Sequence, residues 1–177
     1  MLKLSFYSSL VIIPTLTLIL NYTSSYICIG YTGIVMCLIL GVLGTSRGMS
    51  SISRYVSGVC ISTPRVSNKS LLGTVICEAG LICTILQCIL LFIKIMNMRD
   101  TLMNNYLILC SGIMVGSGFY FSSTAVGIIC GVISLVDAKN QEIFFKLVVL
   151  EFMPASVGLL GFVLGNIISN LVILNKN

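Results

Sequence analysis

The chain has 177 residues, of which 57% are hydrophobic and only 8% charged, with a net charge of +5 and a mean hydropathy of +1.10. A soluble domain carries about 25% charged residues, so the composition excludes one and leaves an integral membrane protein. Its long apolar runs lack the strict alternation of a barrel strand, which makes the fold class all-α. The charges are dispersed, with no basic cluster for nucleic acid. The absence of histidine removes the commonest metal ligand and acid–base group.

The first apolar run covers residues 4–22, after Lys3 and before Thr23-Ser24-Ser25. A charged start, an apolar middle and small polar residues also describe a signal peptide. We read the run as a transmembrane helix, with a bend available at Pro14. The second run, about 27–61, carries Gly41, Gly44, Gly48, Ser51 and Gly58 on one stripe interrupted by Tyr55. Small residues on a stripe let helix backbones approach closely within a membrane. Arg47 and Arg54 lie on the same half, one heptad apart. A tight turn about Arg65 would put Arg54 near the depth of the acid that follows, with Arg47 deeper.

The third run, about 70–96, contains one charge before Lys94, the carboxyl of Glu78. A span needs about 20 apolar residues, and a carboxylate inside one costs roughly 2.5–3.5 kcal/mol on insertion scales. An acid retained there is by default a functional group, most often an ion or proton relay. The plainer reading is a protonated Glu that only packs between helices. Gly73, Cys77, Gly80 and Thr84 form a small-residue stripe, with Glu78 about 100° away from it. The stripe can therefore pack on a neighbour while Glu78 points to a more open side.

Residues 94–105 read as a polar loop. The fourth run, about 106–136, carries Gly112, Gly116, Ser123, Gly127 and Gly131, interrupted by Tyr120. The fifth, about 143–174, carries Glu151 near its start, followed on the same face by Ala155, Gly158 and Gly165, and Pro154 can kink it. The eight cysteines contain no CxxC pair and read as small packing residues rather than disulfides or ligands. No cofactor or metal is expected. The sequons at Asn21 and Asn68 lie beside a predicted membrane surface and carry little weight.

The second and third runs repeat as the fourth and fifth. Gly58-Val59 and Gly131-Val132 precede Glu78 and Glu151 by the same interval, and the same offset of 73 pairs Ser50 with Ser123 and Cys37 with Cys110. Such a duplication joins two helical hairpins, residues 27–96 and 104–174, in parallel orientation, with both acids at equivalent depths. Basic residues favour one orientation: Lys3, Arg65, Lys69, Lys139 and Lys146 fall with the N-terminus and the intra-hairpin turns, against Lys94, Arg99 and Lys176 opposite. The first side is expected to be cytosolic.

Val42-Leu-Gly-Thr-Ser-Arg-Gly48, Thr63-Pro-Arg-Val66, Lys69 and Cys77-Glu78-Ala79 resemble the proteolipid subunits of the vacuolar-type proton ATPase. In the second half, Asp137-Ala-Lys-Asn140, Leu150-Glu151 and Val157-Gly-Leu-Leu-Gly161 extend the resemblance across residues 30–170. The extra first helix and the acid in the first hairpin resemble the five-helix, c-double-prime form more than the plain c form, whose working acid lies in its last helix.

The resemblance implies five transmembrane helices, two duplicated hairpins plus an N-terminal helix, in a proteolipid ring with glycine-rich helices inside and acid-bearing helices outside. It implies that Glu78 is the primary proton carrier and Glu151 a secondary acid. It implies other proteolipids, the stator subunit a with its arginine, the central-stalk-coupling subunit d and membrane lipids as partners, in a vacuole or other acidified endomembrane. ATP hydrolysis would belong to other subunits, since nothing here resembles a nucleotide site. Arg47 and Arg54 depart from the family, where uncharged residues are expected, and Arg54 is expected to face away from Glu78. Two other classes fit the residues less well. A small secondary transporter using paired acids should show broken helices around a midplane site. A structural scaffold would not need the acids.

Overall fold

A computed structural model describes residues 26–61, 63, 65–139 and 144–172; the span expected at 4–22 lies outside them. Four helices account for nearly all of the described residues: α1 (Tyr26–Cys60), α2 (Arg65–Asn97), α3 (Leu102–Lys139) and α4 (Phe144–Asn170). Each contains a stretch long and apolar enough to cross a membrane.

The helix ends follow local chemistry. Thr63 donates its N–H to the Val59 carbonyl at 2.9 Å and accepts the Val66 N–H at 3.2 Å, so one residue closes α1 and opens α2. The connection between α2 and α3 is only four residues, 98–101, where the sequence suggests a polar loop over 94–105. The reason lies in two asparagines. Asn104 donates to the Arg99 carbonyl at 3.0 Å, and Asn105 donates to Asp100 Oδ1 at 3.0 Å and the Thr101 carbonyl at 3.1 Å. Their side chains satisfy the turn and are buried, so polar residues wind onto the helix instead of forming a loop. α4 continues as helix through Pro154.

α1 and α3 make the most extensive interface, and they run parallel. Their approach is set by glycine: a Cβ at Gly33 would stand 2.6 Å from Leu109 Cα, and one at Gly44 2.6 Å from Tyr120 Cα. Further along, Gly127 faces the Gly48 backbone and Gly131 faces the Tyr55 ring. The α3 stripe of Gly112, Gly116, Ser123, Gly127 and Gly131 is wholly buried, as a close-packed stripe should be. On α1 the stripe ends early, because Gly58 is exposed with nothing near it.

The remaining helices flank this pair. α2 runs antiparallel to α1, bringing Gly30 to Ile95, Gly41 to Thr84 and Gly48 to Cys77. α4 runs antiparallel to α3, bringing Gly118 to Gly161, Ser122 to Gly158 and Val115 to Gly165. α2 and α4 touch only lightly, and α1 and α4 do not touch. Buried apolar side chains form three small clusters between the helices, one of them Cys37, Cys88, Val115 and Phe119. All eight cysteines are free thiols, four of them buried.

Candidate functional site

Glu78 is carried by the middle of α2. Cys77 beside it is buried against α1 and α3, with its thiol directed at the Ser123 carbonyl at 3.7 Å. A rotation of 100° per residue then carries Glu78 out of the interface, and the side chain is exposed. Leu71, Val75, Ile82, Ile85 and Ile89 are exposed on the same side. The carboxyl therefore sits in the middle of an apolar stripe open to lipid or to another chain. An apolar cavity of about 100 Å³ between α2, α3 and α4 lies elsewhere: it is lined by Ile76, Ala79, Gly80, Phe119 and Leu159, on a different side of α2.

Glu151 has the opposite environment. It is 2% exposed, enclosed by α2, α3 and α4. Its Oε1 has no hydrogen-bond partner among the described residues. A Cβ on Gly73 would collide with both this oxygen and the Cys130 thiol, so the missing side chain of Gly73 is what admits the carboxyl. The same contact corrects the expectation of equal depth. Gly73 lies five residues before Glu78 on α2, so Glu151 is nearer the α1–α2 turn than Glu78 by about 7.5 Å at 1.5 Å per residue. The repeat in sequence keeps one interval, whereas the two helix pairs differ in register.

The arginines require a second correction. Gly48 lies opposite Cys77, so Arg47, not Arg54, shares the depth of Glu78. The antiparallel pair is centred near residues 62–63 rather than Arg65, which moves the residue facing Glu78 from Ile52 to Arg47. Arg54 is exposed and forms no salt bridge with Glu78. Arg47 donates from Nη1 to the Tyr120 hydroxyl, and its guanidinium carbon lies 5.4 Å from the centre of that ring. The sequence treats Tyr120 only as an interruption in a small-residue stripe. Its offset from Arg47 is the repeat interval of 73, a signal that could have found the pair.

A second polar contact was also hidden in the apolar runs. Gln87 is fully buried and donates to the Ser111 hydroxyl at 3.3 Å, and Ser111 donates to the Gly165 carbonyl at 2.7 Å, tying α2, α3 and α4 together. Near the other turn, Lys94 donates to Ser169 at 2.8 Å and Asn170 at 2.6 Å. No group of three or more Cys, Asp or Glu side chains that could hold a metal ion is gathered among the described residues.

Comparison with known proteins places this arrangement. Residues 109–168, covering most of α3 and α4, match the family of the C subunit of ATP synthase. The chain is 32% identical over 144 residues to the c''2 subunit of the V-type proton ATPase of Arabidopsis thaliana, covering 77% of this chain and 81% of that protein. It is equally similar to the c''1 subunit of the same plant enzyme, of which 80% is covered. The c'' subunit of the V-type proton ATPase of Saccharomyces cerevisiae is 28% identical over 140 residues, covering 75% of this chain and 66% of that one. With four apolar helices and this degree of shared sequence, the chain belongs to the c'' proteolipid family of V-type proton ATPases.

Proposed function

We propose that this chain is a proton-translocating rotor subunit in the membrane sector of a vacuolar-type ATPase, with Glu78 as its primary proton carrier and Glu151 as a secondary acid. The observation that carries the reading is the position of Glu78, a carboxyl exposed within the apolar stripe of a membrane-length helix. Family membership supplies the reaction class. The five-helix plan, with residues 4–22 as an additional span beside hairpins 27–96 and 104–174, belongs to this proposal. So do the ring of proteolipids and an acidified endomembrane as the location, with the N-terminus and intra-hairpin turns cytosolic.

The mechanism follows from the cost of charge in hydrocarbon. A bare carboxylate is costly in hydrocarbon, so in the proposed cycle the site carries its proton wherever it faces lipid. Facing an arginine of the stator subunit a, the ionised form is favoured and the proton leaves. Rotation, transmitted from hydrolysing subunits through a stalk subunit such as d, carries the site to a second half-channel. Moving one charge against 100 mV costs about 2.3 kcal/mol. Glu151 is less suited to exchange, since three helices enclose it.

The test is a pair of variants in the assembled complex. Glu78→Gln keeps its volume and assembles normally but stops ATP-driven proton uptake into vesicles. Glu151→Gln retains a substantial fraction of uptake. Full pumping by Glu78→Gln would falsify the assignment, and equal loss in both variants would reverse the ranking of the acids.

A further inference from the structure

The open face of α1 changes character along its length. Val35, Leu38, Ile39, Val42 and Leu43 are each more than 40% exposed. From Ser46 onward the exposed residues become mostly polar, namely Ser46, Ser50, Ser53, Arg54 and Ser57 beside Tyr55 and Gly58, with Arg47 half-buried at the edge of the same side. Tyr120 fixes Arg47 in place through one N–H and the ring face, which leaves the other guanidinium donors directed elsewhere. Arg54 stands two helical turns further along, with its side chain open.

Among the described residues these cations have no countercharge within reach. The sequence holds five acids, and residues 1–25 contain none of them. Among the described residues, neither Arg47 nor Arg54 forms a salt bridge. Asp100 lies at the opposite end, where Asn105 donates to it. Asp137 and Glu151 are buried, and Glu78 points to the far side of α2. The fifth acid, Glu142, lies outside the described residues. A guanidinium at this depth needs an anion or water.

We propose that this face of α1 binds an acidic phospholipid, with its phosphate held between Arg47 and Arg54 and its acyl chains along Val35, Leu38, Ile39, Val42 and Leu43. An apolar stripe followed by a hydroxyl-rich cationic one matches the profile of such a lipid, tail then headgroup. Guanidinium is the group best shaped to grip phosphate oxygens in pairs. The site is independent of the proton-carrying role of Glu78.

The experiment uses the full-length chain in the assembly extracted from its own membranes. The assembly is stripped of lipid and exchanged into nanodiscs mixing phosphatidylcholine with phosphatidylglycerol, and retained lipid is measured by native mass spectrometry. Wild type is expected to enrich the acidic lipid. Arg54→Gln should reduce that enrichment about fivefold, and adding Arg47→Gln should remove about as much again. Lys94→Gln, at the other end of the helices, should leave it unchanged. Arg54 is exposed, so its variant remains informative if Arg47→Gln misassembles. Unchanged enrichment in Arg54→Gln, or none in wild type, overturns the proposal. Displacement of the lipid by inorganic phosphate would show a site for free anions instead. Enrichment gained only in Glu142→Gln would show that the countercharge is internal.

Discussion

Glu78 and Glu151 occupy repeat-equivalent positions in sequence and contrasting ones in space. One is open on an apolar face, and the other is 2% exposed beneath Gly73. A hydrophobic carbodiimide should therefore modify Glu78 well before Glu151, as read by mass spectrometry of α2 and α4 peptides; comparable rates would mean that α2 and α4 part readily. Substituting Gly73→Ala should destabilise the chain by about 1–3 kcal/mol, the usual cost of overfilling a packed site, and thermal unfolding of the assembly measures it. Gly58→Ala is the matching control, since nothing lies near that position, and it should be neutral or mildly stabilising. Tyr120→Phe removes the acceptor for Arg47 and should cost about 1–3 kcal/mol without altering carbodiimide labelling of Glu78.

At the scale of helices, the number, type and approximate limits of the four described elements were legible because apolar runs of membrane length leave little choice. The boundaries that moved are those where polar side chains serve the backbone. Asn104 and Asn105 look like loop residues by composition, yet their amides complete the α2–α3 turn from inside the helix. Register was less legible than topology. The centre of an antiparallel pair depends on how few residues the turn needs, and Thr63 makes it tighter than the Pro64-Arg65 dipeptide suggests. That difference put Arg47 rather than Arg54 beside the depth of Glu78. The exposure of Glu78 could be argued from its angle to the small-residue stripe. The enclosure of Glu151 could not, because it depends on contact between α2 and α4, far apart in the chain. For the α1–α3 interface, Gly127→Ala should be among the costliest glycine changes, because its Cβ would meet the Gly48 backbone, which cannot rotate aside. Loss of assembled complex in membranes, compared with Gly58→Ala, is the measurement.

At the scale of the whole molecule, the described residues form two antiparallel helix pairs, α1 with α2 and α3 with α4, side by side. Composition pointed to a membrane protein at once, and the repeat led to an expectation of two hairpins in parallel orientation, but neither indicated which helices meet. They meet through parallel helices, Gly33 with Leu109 and Gly48 with Ser123, rising together along α1 and α3. Two halves facing each other about an axis in the membrane plane would run in opposite senses. These halves run in the same sense, as parallel repeats do. A parallel arrangement of that kind has a direction. It leaves the leading edge of the second half unlike the trailing edge of the first, so a copy added at one end meets a different surface from a copy added at the other. Association of this heterologous sort closes into a ring when the rotation divides the circle and runs on as a filament when it does not. The two ends of the α1–α3 pair therefore offer different surfaces to any further copy.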